Sequence, residues 1–267
     1  MSSIDNARKA ALQKLQQRKK LKQTSDVVKD IVDGNITVLA QAITLLESSE
    51  SEKQARAQDI IHACLPYSGN STRIGITGVP GVGKSTFIEA FGLHLARKGA
   101  KIAAEQFIRP SPSGSSLGGV AKKTRESIIL CEAAGFDTII IETVGVGQSE
   151  TMVKSMVDFF LLLMLAGAGD ELQGIKRGIM EMADAMVITK ADGENVNKAK
   201  SAAQQYRNAL HLLPPSDIPN WIPSVSICSA LEKEGLVKVE QQIEAFFKCS
   251  KRTAYFETNR NRQSINW

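Results

Sequence analysis

Lys84 and Ser85 close the stretch Gly78-Val79-Pro80-Gly81-Val82-Gly83-Lys84-Ser85, which fits the spacing G-x-x-x-x-G-K-[ST]. The chemistry that needs this pattern is the holding of a polyphosphate. Glycines let the backbone curl until successive N–H groups between Gly78 and Thr86 point at one anion, and a helix starting near Lys84 adds its positive end. The Lys84 ammonium would neutralise the β- and γ-phosphates, and the Ser85 hydroxyl would ligate Mg2+. A chance glycine-rich turn is the plain alternative. It is disfavoured because an apolar run precedes the loop and the helix-period residues Phe87, Ile88, Phe91 and Leu95 follow it.

A metal site on such a loop needs a carboxylate from a neighbouring strand. Thr138–Gly145 (TIIIETVG) supplies Glu142 after three isoleucines, with Gly145 three residues on. Glu142 could bind the ion's water shell, and the Gly145 N–H could sense the γ-phosphate; a capping glutamate at a strand end is the other reading. No glutamine directly follows Gly145, where Ras-like enzymes hold the attacking water. Val146 stands there, and Gln148 and Glu150 are candidates for that role or for a helix cap.

Met186–Asp192 (MVITKAD) addresses the base. In a [NT]-K-x-D turn the aspartate accepts guanine N1–H and the 2-amino group while the lysine stem lies over the ring, so Lys190 and Asp192 select GTP. Adenine lacks that donor pair, and a carboxylate left unpaired rejects it. An ordinary strand-to-helix turn is the competing reading of TKAD alone. Ser229-Ala230-Leu231, after a later apolar run, stands where GTPases place a segment against guanine O6.

The elements around these residues alternate. Strands are expected at Arg73–Thr77, Lys101–Ala104, Gln106–Arg109, Thr138–Glu142, Phe159–Leu165, Ala185–Thr189 and Ser224–Cys228, with helices at Lys84–Lys98 and Gly119–Ala134 between them. Such alternation predicts an α/β fold of the three-layer P-loop type with a mostly parallel sheet, and near-uniform apolar strands suit burial on both faces. Lys101–Ala104 and Gln106–Arg109 break the logic. Parallel neighbours need a crossover of about a dozen residues or more, so they are one bent strand or a connection is missing. Residues 5–65 read as helical, interrupted by Asp33-Gly34-Asn35 and stopped at Leu65-Pro66.

The balance of 43% hydrophobic and 23% charged residues is that of a globular protein. The net charge of +5 concentrates in Arg8, Lys9, Lys14, Arg18, Lys19, Lys20 and Lys22. A solvated helix face explains that run; a mitochondrial targeting segment or a patch for an acidic partner are its rivals. Cys64, Cys131, Cys228 and Cys249 form no CxxC pair and suit a reducing compartment. The apolar run 159–166 is too short to span a bilayer. These features predict a cytoplasmic protein, with an organelle matrix as alternative, that binds neither membrane nor nucleic acid.

GITGVPGVGKST (75–86), FIRPSPSGSSLGGVAKKTRE (107–126), ETVGVGQSE (142–150), VDFFLLLMLAGAGDELQGIKRGIME (157–181) and TKADG (189–193) together resemble the MeaB/ArgK/methylmalonic-aciduria-type-A GTPases. The resemblance covers most of the chain. It implies an N-terminal helical extension (1–70), a P-loop GTPase domain (71–250) and, from 251 to 267, the start of a C-terminal dimerisation arm. It also implies Mg2+-dependent GTP hydrolysis and homodimers that load or protect adenosylcobalamin in a cobalamin-dependent acyl-CoA mutase, with Glu142 as the metal-site acid. The family carries a segment with a V-D-P-S-S motif between the strand matching 101–104 and the FIRPS strand. Here Ala104 runs straight into Glu105, so the aspartate that the resemblance places near Mg2+ is missing. His62, His94 and His211 lie in no D-x-H-x-x-G cobalamin motif, so the partner is expected to carry the cobalamin. Two other functions fit the same motifs: an ArgK-type kinase of an amino-acid transport binding protein, and a nucleotide-sensing module with little catalysis.

Overall fold

Phe159–Leu165 forms strand β4, buried along nearly its whole length. Phe159, Leu161 and Leu163 enter the core on one face of the sheet, and Phe160, Leu162 and Met164 enter it on the other. That two-sided burial is why the run shows no polar alternation. In the computed structural model, which describes residues 23–103, 117–143, 149–167 and 177–265, β4 lies near the middle of a six-stranded sheet. The other strands are β1 (Thr72–Gly78), β2 (Ile102–Ala103), β3 (Thr138–Glu142), β5 (Ala185–Thr189) and β6 (Ser224–Ile227). Their order is β2-β3-β1-β4-β5-β6, and every pairing among the described strands is parallel.

Helices cover both faces, as parallel crossovers require. On one side α4 (Lys84–Ala96) and α9 (Leu236–Arg252) bring Phe87, Phe91 and Phe246 against Ile74, Ile76 and Leu161. On the other lie α5 (Leu117–Ala133), α6 (Ser149–Lys154), α7 (Arg177–Met182) and α8 (Val196–Leu210). The N-terminal helices α1 (Thr24–Val32), α2 (Ile36–Glu47) and α3 (Ser51–Cys64) pack with α5 through Ile31, Leu39, Ile60 and Ile129. Gly34, at φ 80°, turns the chain between α1 and α2, and Asn35 caps α2 by accepting the Val38 N–H at 3.2 Å.

Most expected strands stand within a residue of their predicted ends. The expected strand at 101–104 shortens to the two-residue edge strand β2, and the last strand stops at Ile227 because the Cys228 carbonyl turns aside to accept the Ala191 N–H at 3.1 Å. The expected strand Gln106–Arg109, the basic run Arg8–Lys22, Gly145 and Gln148 lie outside the described residues. After α3 the chain tightens into a 3-10 turn, Leu65–Tyr67, with Pro66 inside it.

Below β1 sits a buried polar cluster. The Arg73 guanidinium donates to both Glu132 oxygens at 2.8 and 2.9 Å, and the Ser71 hydroxyl and Gly69 N–H donate to the same carboxylate. Burial would push Glu132 up, but the Arg73 hydrogen bond and charge, then Ser71 and Gly69, outweigh it and hold it below its ordinary value. The last described helix, α10 (Tyr255–Ile265), folds back onto this edge. Its Arg260 donates to Asp158 and to the Ser71 carbonyl, and Gln263 donates to the Val157 carbonyl at 2.8 Å.

Gly75 seats α6 on β1. A β-carbon there would stand 2.8 Å from Phe160, 2.9 Å from Val153 and 3.0 Å from Val157, all buried. Gly75→Ala is therefore expected to destabilise the fold by about 1–3 kcal/mol through overpacking. Denaturant unfolding checks this, and an unchanged midpoint would mean that α6 shifts freely.

Candidate nucleotide site

The register brings Gly78 of β1 beside Leu163 of β4, Glu142 of β3 opposite Ile76, and Thr189 of β5 opposite Leu165. The signal-bearing residues thus gather at the carboxyl ends of the strands. There β1 has β3 on one side and β4 on the other, the crevice at which parallel α/β sheets bind ligands.

Gly78 lets the chain leave β1 without collision: a β-carbon there would lie 2.5 Å from the Leu163 carbonyl oxygen. Val82 is fully buried and donates its N–H to the Val79 carbonyl at 3.2 Å, which folds Val79–Val82 over while Pro80 and Gly81 stay exposed. Gly83, at φ 89°, takes the left-handed conformation that starts α4. The Lys84 ammonium arches back to donate to the Gly78 carbonyl at 3.0 Å and approaches the Val79 carbonyl at 3.5 Å. A positive charge thus stands over the loop, with Ser85 and Thr86 exposed in the first turn of α4.

Thr143, just beyond Glu142, donates its N–H to the Ile76 carbonyl and its hydroxyl to Thr77 Oγ1 at 2.8 Å. These bonds lock the carboxylate-bearing strand to the phosphate-loop strand. Ser85 and Glu142 are hard oxygen donors of the kind Mg2+ takes. Among the described residues no cluster of three or more His, Cys, Asp or Glu side chains could hold a metal. An ion there would need phosphate oxygens and water to complete it, and Ser85 and Glu142 are the side chains that could hold it. Gly145 and Gln148 lie outside the described residues; Glu150 is buried in the first turn of α6, where a carboxylate suits the positive helix end.

Thr189 fills a position more often held by asparagine. Its hydroxyl lies 2.7 Å from the Val82 carbonyl and 3.2 Å from the Met164 carbonyl, so it ties the end of β5 to the phosphate loop. Lys190 follows at φ 54°, and its Cε lies 3.9 Å from where a β-carbon on Gly83 would stand. Ser229 donates its hydroxyl to Asp192 Oδ2 at 2.7 Å and accepts the Glu232 N–H at 3.1 Å. The Ser229 hydroxyl therefore orients the aspartate. Leu231 is 78% exposed as a residue, and within 229–231 it is Ser229 that bonds Asp192.

The expected P-loop, metal and guanine residues within the described chain therefore converge on one sheet edge. Sequence reasoning missed the Thr77–Thr143 bond, the use of Ser229 on Asp192, and Asn195, whose side chain donates to the Lys190 carbonyl at 2.6 Å. His94 bonds Glu240 at 2.9 Å and stacks on Phe91, as a packing residue does. A cavity of about 820 Å³ lies at the opposite edge of the sheet, among Arg73, Phe247, Lys251, Phe256 and Arg260, and is remote from the loop.

The chain is similar to a putative GTPase of Caulobacter vibrioides, 49% identical over 241 residues, which cover 80% of this chain and 73% of the relative. It is 42% identical over 271 residues to the GTPase ArgK of Escherichia coli, covering 91% of this chain and 82% of the relative. A solved structure described as a LAO/AO transport system kinase superposes with a TM-score of 0.83 at 42% identity, covering 92% of this chain and 83% of the other. The family profile described as methylmalonyl Co-A mutase-associated GTPase MeaB matches residues 39–105 and 103–267, two pieces that meet where the expected strands 101–104 and 106–109 follow one another too closely. With these matches over most of its length, and with the glycine loop, Glu142 and the Lys190–Asp192 turn at the carboxyl ends of neighbouring strands, the chain belongs to the MeaB family of methylmalonyl-CoA mutase-associated GTPases.

Proposed function

We propose that the protein is a Mg2+-dependent GTP-hydrolysing chaperone that gates adenosylcobalamin loading or protection in a cobalamin-dependent acyl-CoA mutase of the methylmalonyl-CoA mutase type. The observation that carries this reading is the family match over 39–105 and 103–267, whose description names association with that mutase. In this reading Gly78–Thr86 hold the phosphates, Ser85 and Glu142 hold Mg2+, and Lys190, Asp192 and Ser229–Leu231 hold guanine. Lys84, Glu142, Gly145 and Gln148 act on the γ-phosphate and its attacking water. The cobalamin travels with the mutase, and the protein works as a homodimer in the cytoplasm or a mitochondrial matrix. No described helix is long and apolar enough to cross a membrane.

GTP turnover measured with and without a purified mutase tests the proposal. Slow intrinsic hydrolysis is expected, rising about tenfold or more with the partner, because groups supplied in trans can complete a phosphoryl-transfer site. Tight GTP binding with turnover indifferent to the mutase would overturn it. That outcome would favour a nucleotide-sensing module, the reading supported by the break in the family match at 103–105. The description of the LAO/AO transport system kinase supports a third activity, which phosphate transfer from labelled GTP to a protein acceptor would reveal.

A further inference from the structure

We propose that Asn195 is a positioning residue for guanine binding, acting by locking Lys190 in the one backbone conformation that carries its side chain beside the phosphate loop. The inference rests on the reading of Lys190 and Asp192 as the guanine turn.

Lys190 adopts φ 54°. A non-glycine residue in this left-handed region is disfavoured because its β-carbon crowds the following carbonyl, so something must hold it there. Two contacts bracket the residue. Ala191 donates its N–H to the Cys228 carbonyl at 3.1 Å, fixing the chain just after it. The Lys190 carbonyl accepts from Asn195 Nδ2 at 2.6 Å. A carbonyl takes only a donor, so the amide nitrogen of Asn195 must face it. Asn195 reaches back because Gly193–Asn195 forms a 3-10 turn, closed by the Asn195 N–H on the Asp192 carbonyl at 2.9 Å.

The consequence lies at the other end of the lysine. With the backbone left-handed, the Lys190 stem passes near Gly83, its Cε 3.9 Å from where a β-carbon there would stand. This is the side of the turn on which a base attached to phosphates in the loop must lie. Without the Asn195 bond, Lys190 relaxes toward an ordinary conformation and its side chain leaves that face. Asp192 is held separately, by Ser229. Loss of Asn195 should therefore weaken binding of any purine that uses the lysine stem while sparing the aspartate's choice among purines.

The test measures dissociation constants for GDP and IDP, together with melting temperature, in Asn195→Ala, Asn195→Asp, Lys190→Gly and the double variant Lys190→Gly/Asn195→Ala. IDP lacks the 2-amino group that Asp192 reads, so the GDP-to-IDP ratio reports the aspartate alone. Asn195→Ala and Asn195→Asp, neither of which can donate, should each weaken GDP about three- to tenfold, the range for one hydrogen bond, with the ratio unchanged. In Lys190→Gly the backbone is left-handed at no steric cost and there is no stem to aim. Asn195→Ala should then add nothing. A merely stabilising Asn195 would lower the melting temperature and leave the affinities alone. Wild-type GDP binding by Asn195→Ala beside weakened binding by Lys190→Gly would overturn the role of Asn195 and leave the guanine reading intact. An additive loss in the double variant, or a falling GDP-to-IDP ratio, would likewise overturn it. Unchanged GDP binding by Lys190→Gly would remove the guanine reading itself, and this inference with it.

Discussion

Lys84→Ala is expected to lower GTP turnover at least about a hundredfold, the scale seen when a charge-stabilising group is removed from a transition state, while the protein keeps its fold. The structure places the ammonium over the glycine loop, 3.0 Å from the Gly78 carbonyl. The negative charge of a γ-phosphate grows on its outer oxygens as the bond to the β-phosphate breaks, and no backbone N–H supplies a full positive charge in return. Truncation leaves two loop carbonyls without this donor, but they lie at a partly exposed edge where water can replace it, so the stability loss should stay small. Single-turnover hydrolysis and a thermal melt on the same sample separate the two effects. Turnover within about threefold of the parent would mean that the loop does not work as the [GKS] spacing implies.

Glu132→Gln should be the most damaging single change away from the nucleotide. It removes the carboxylate that the Arg73 guanidinium pairs with, in a residue only 8% exposed, and the anion that also faces Arg260 at 3.6 Å. Breaking a buried pair from one side costs about 3–5 kcal/mol. Denaturant unfolding near neutral pH checks the figure, and a loss below about 1 kcal/mol would mean that water reaches the pair. The same residue predicts a pH response. Its carboxyl is held below the ordinary value of 4.5 because Arg73, Ser71 and Gly69 outweigh the burial that would raise it. A depressed carboxylate stabilises the fold when ionised, so its contribution is complete above the ordinary value and disappears as pH falls through the lower folded value. Glu132→Gln should be less stable than the parent at neutral pH and converge with it in acid.

Much of the site was legible because its signals are local. A polyphosphate requires glycines, a lysine and a hydroxyl at fixed spacing within one strand–loop–helix turn, and no distant residue is needed to recognise it. Glu142, Lys190 and Asp192 were legible at one remove, since each closes an apolar run and strand ends in a parallel α/β sheet share an edge. The break in the strand logic after Ala104 was legible too, because parallel strands cannot be joined by a residue or two. The family match divides at the same place.

What the sequence by itself determined is the kind of ligand, the α/β class and the approximate place of each strand. These follow from backbone sterics, hydrophobic period and the chemistry of phosphate, all of which act over short stretches of chain. Tertiary structure alone decided which polar groups meet. Thr189 reaches Val82 across 107 residues, Arg260 reaches Asp158 across 102, and Ser229 reaches Asp192 across 37. Each pairing depends on the sheet order β2-β3-β1-β4-β5-β6. That order is set by how whole faces of apolar side chains bury one another, and no single stretch of residues encodes it.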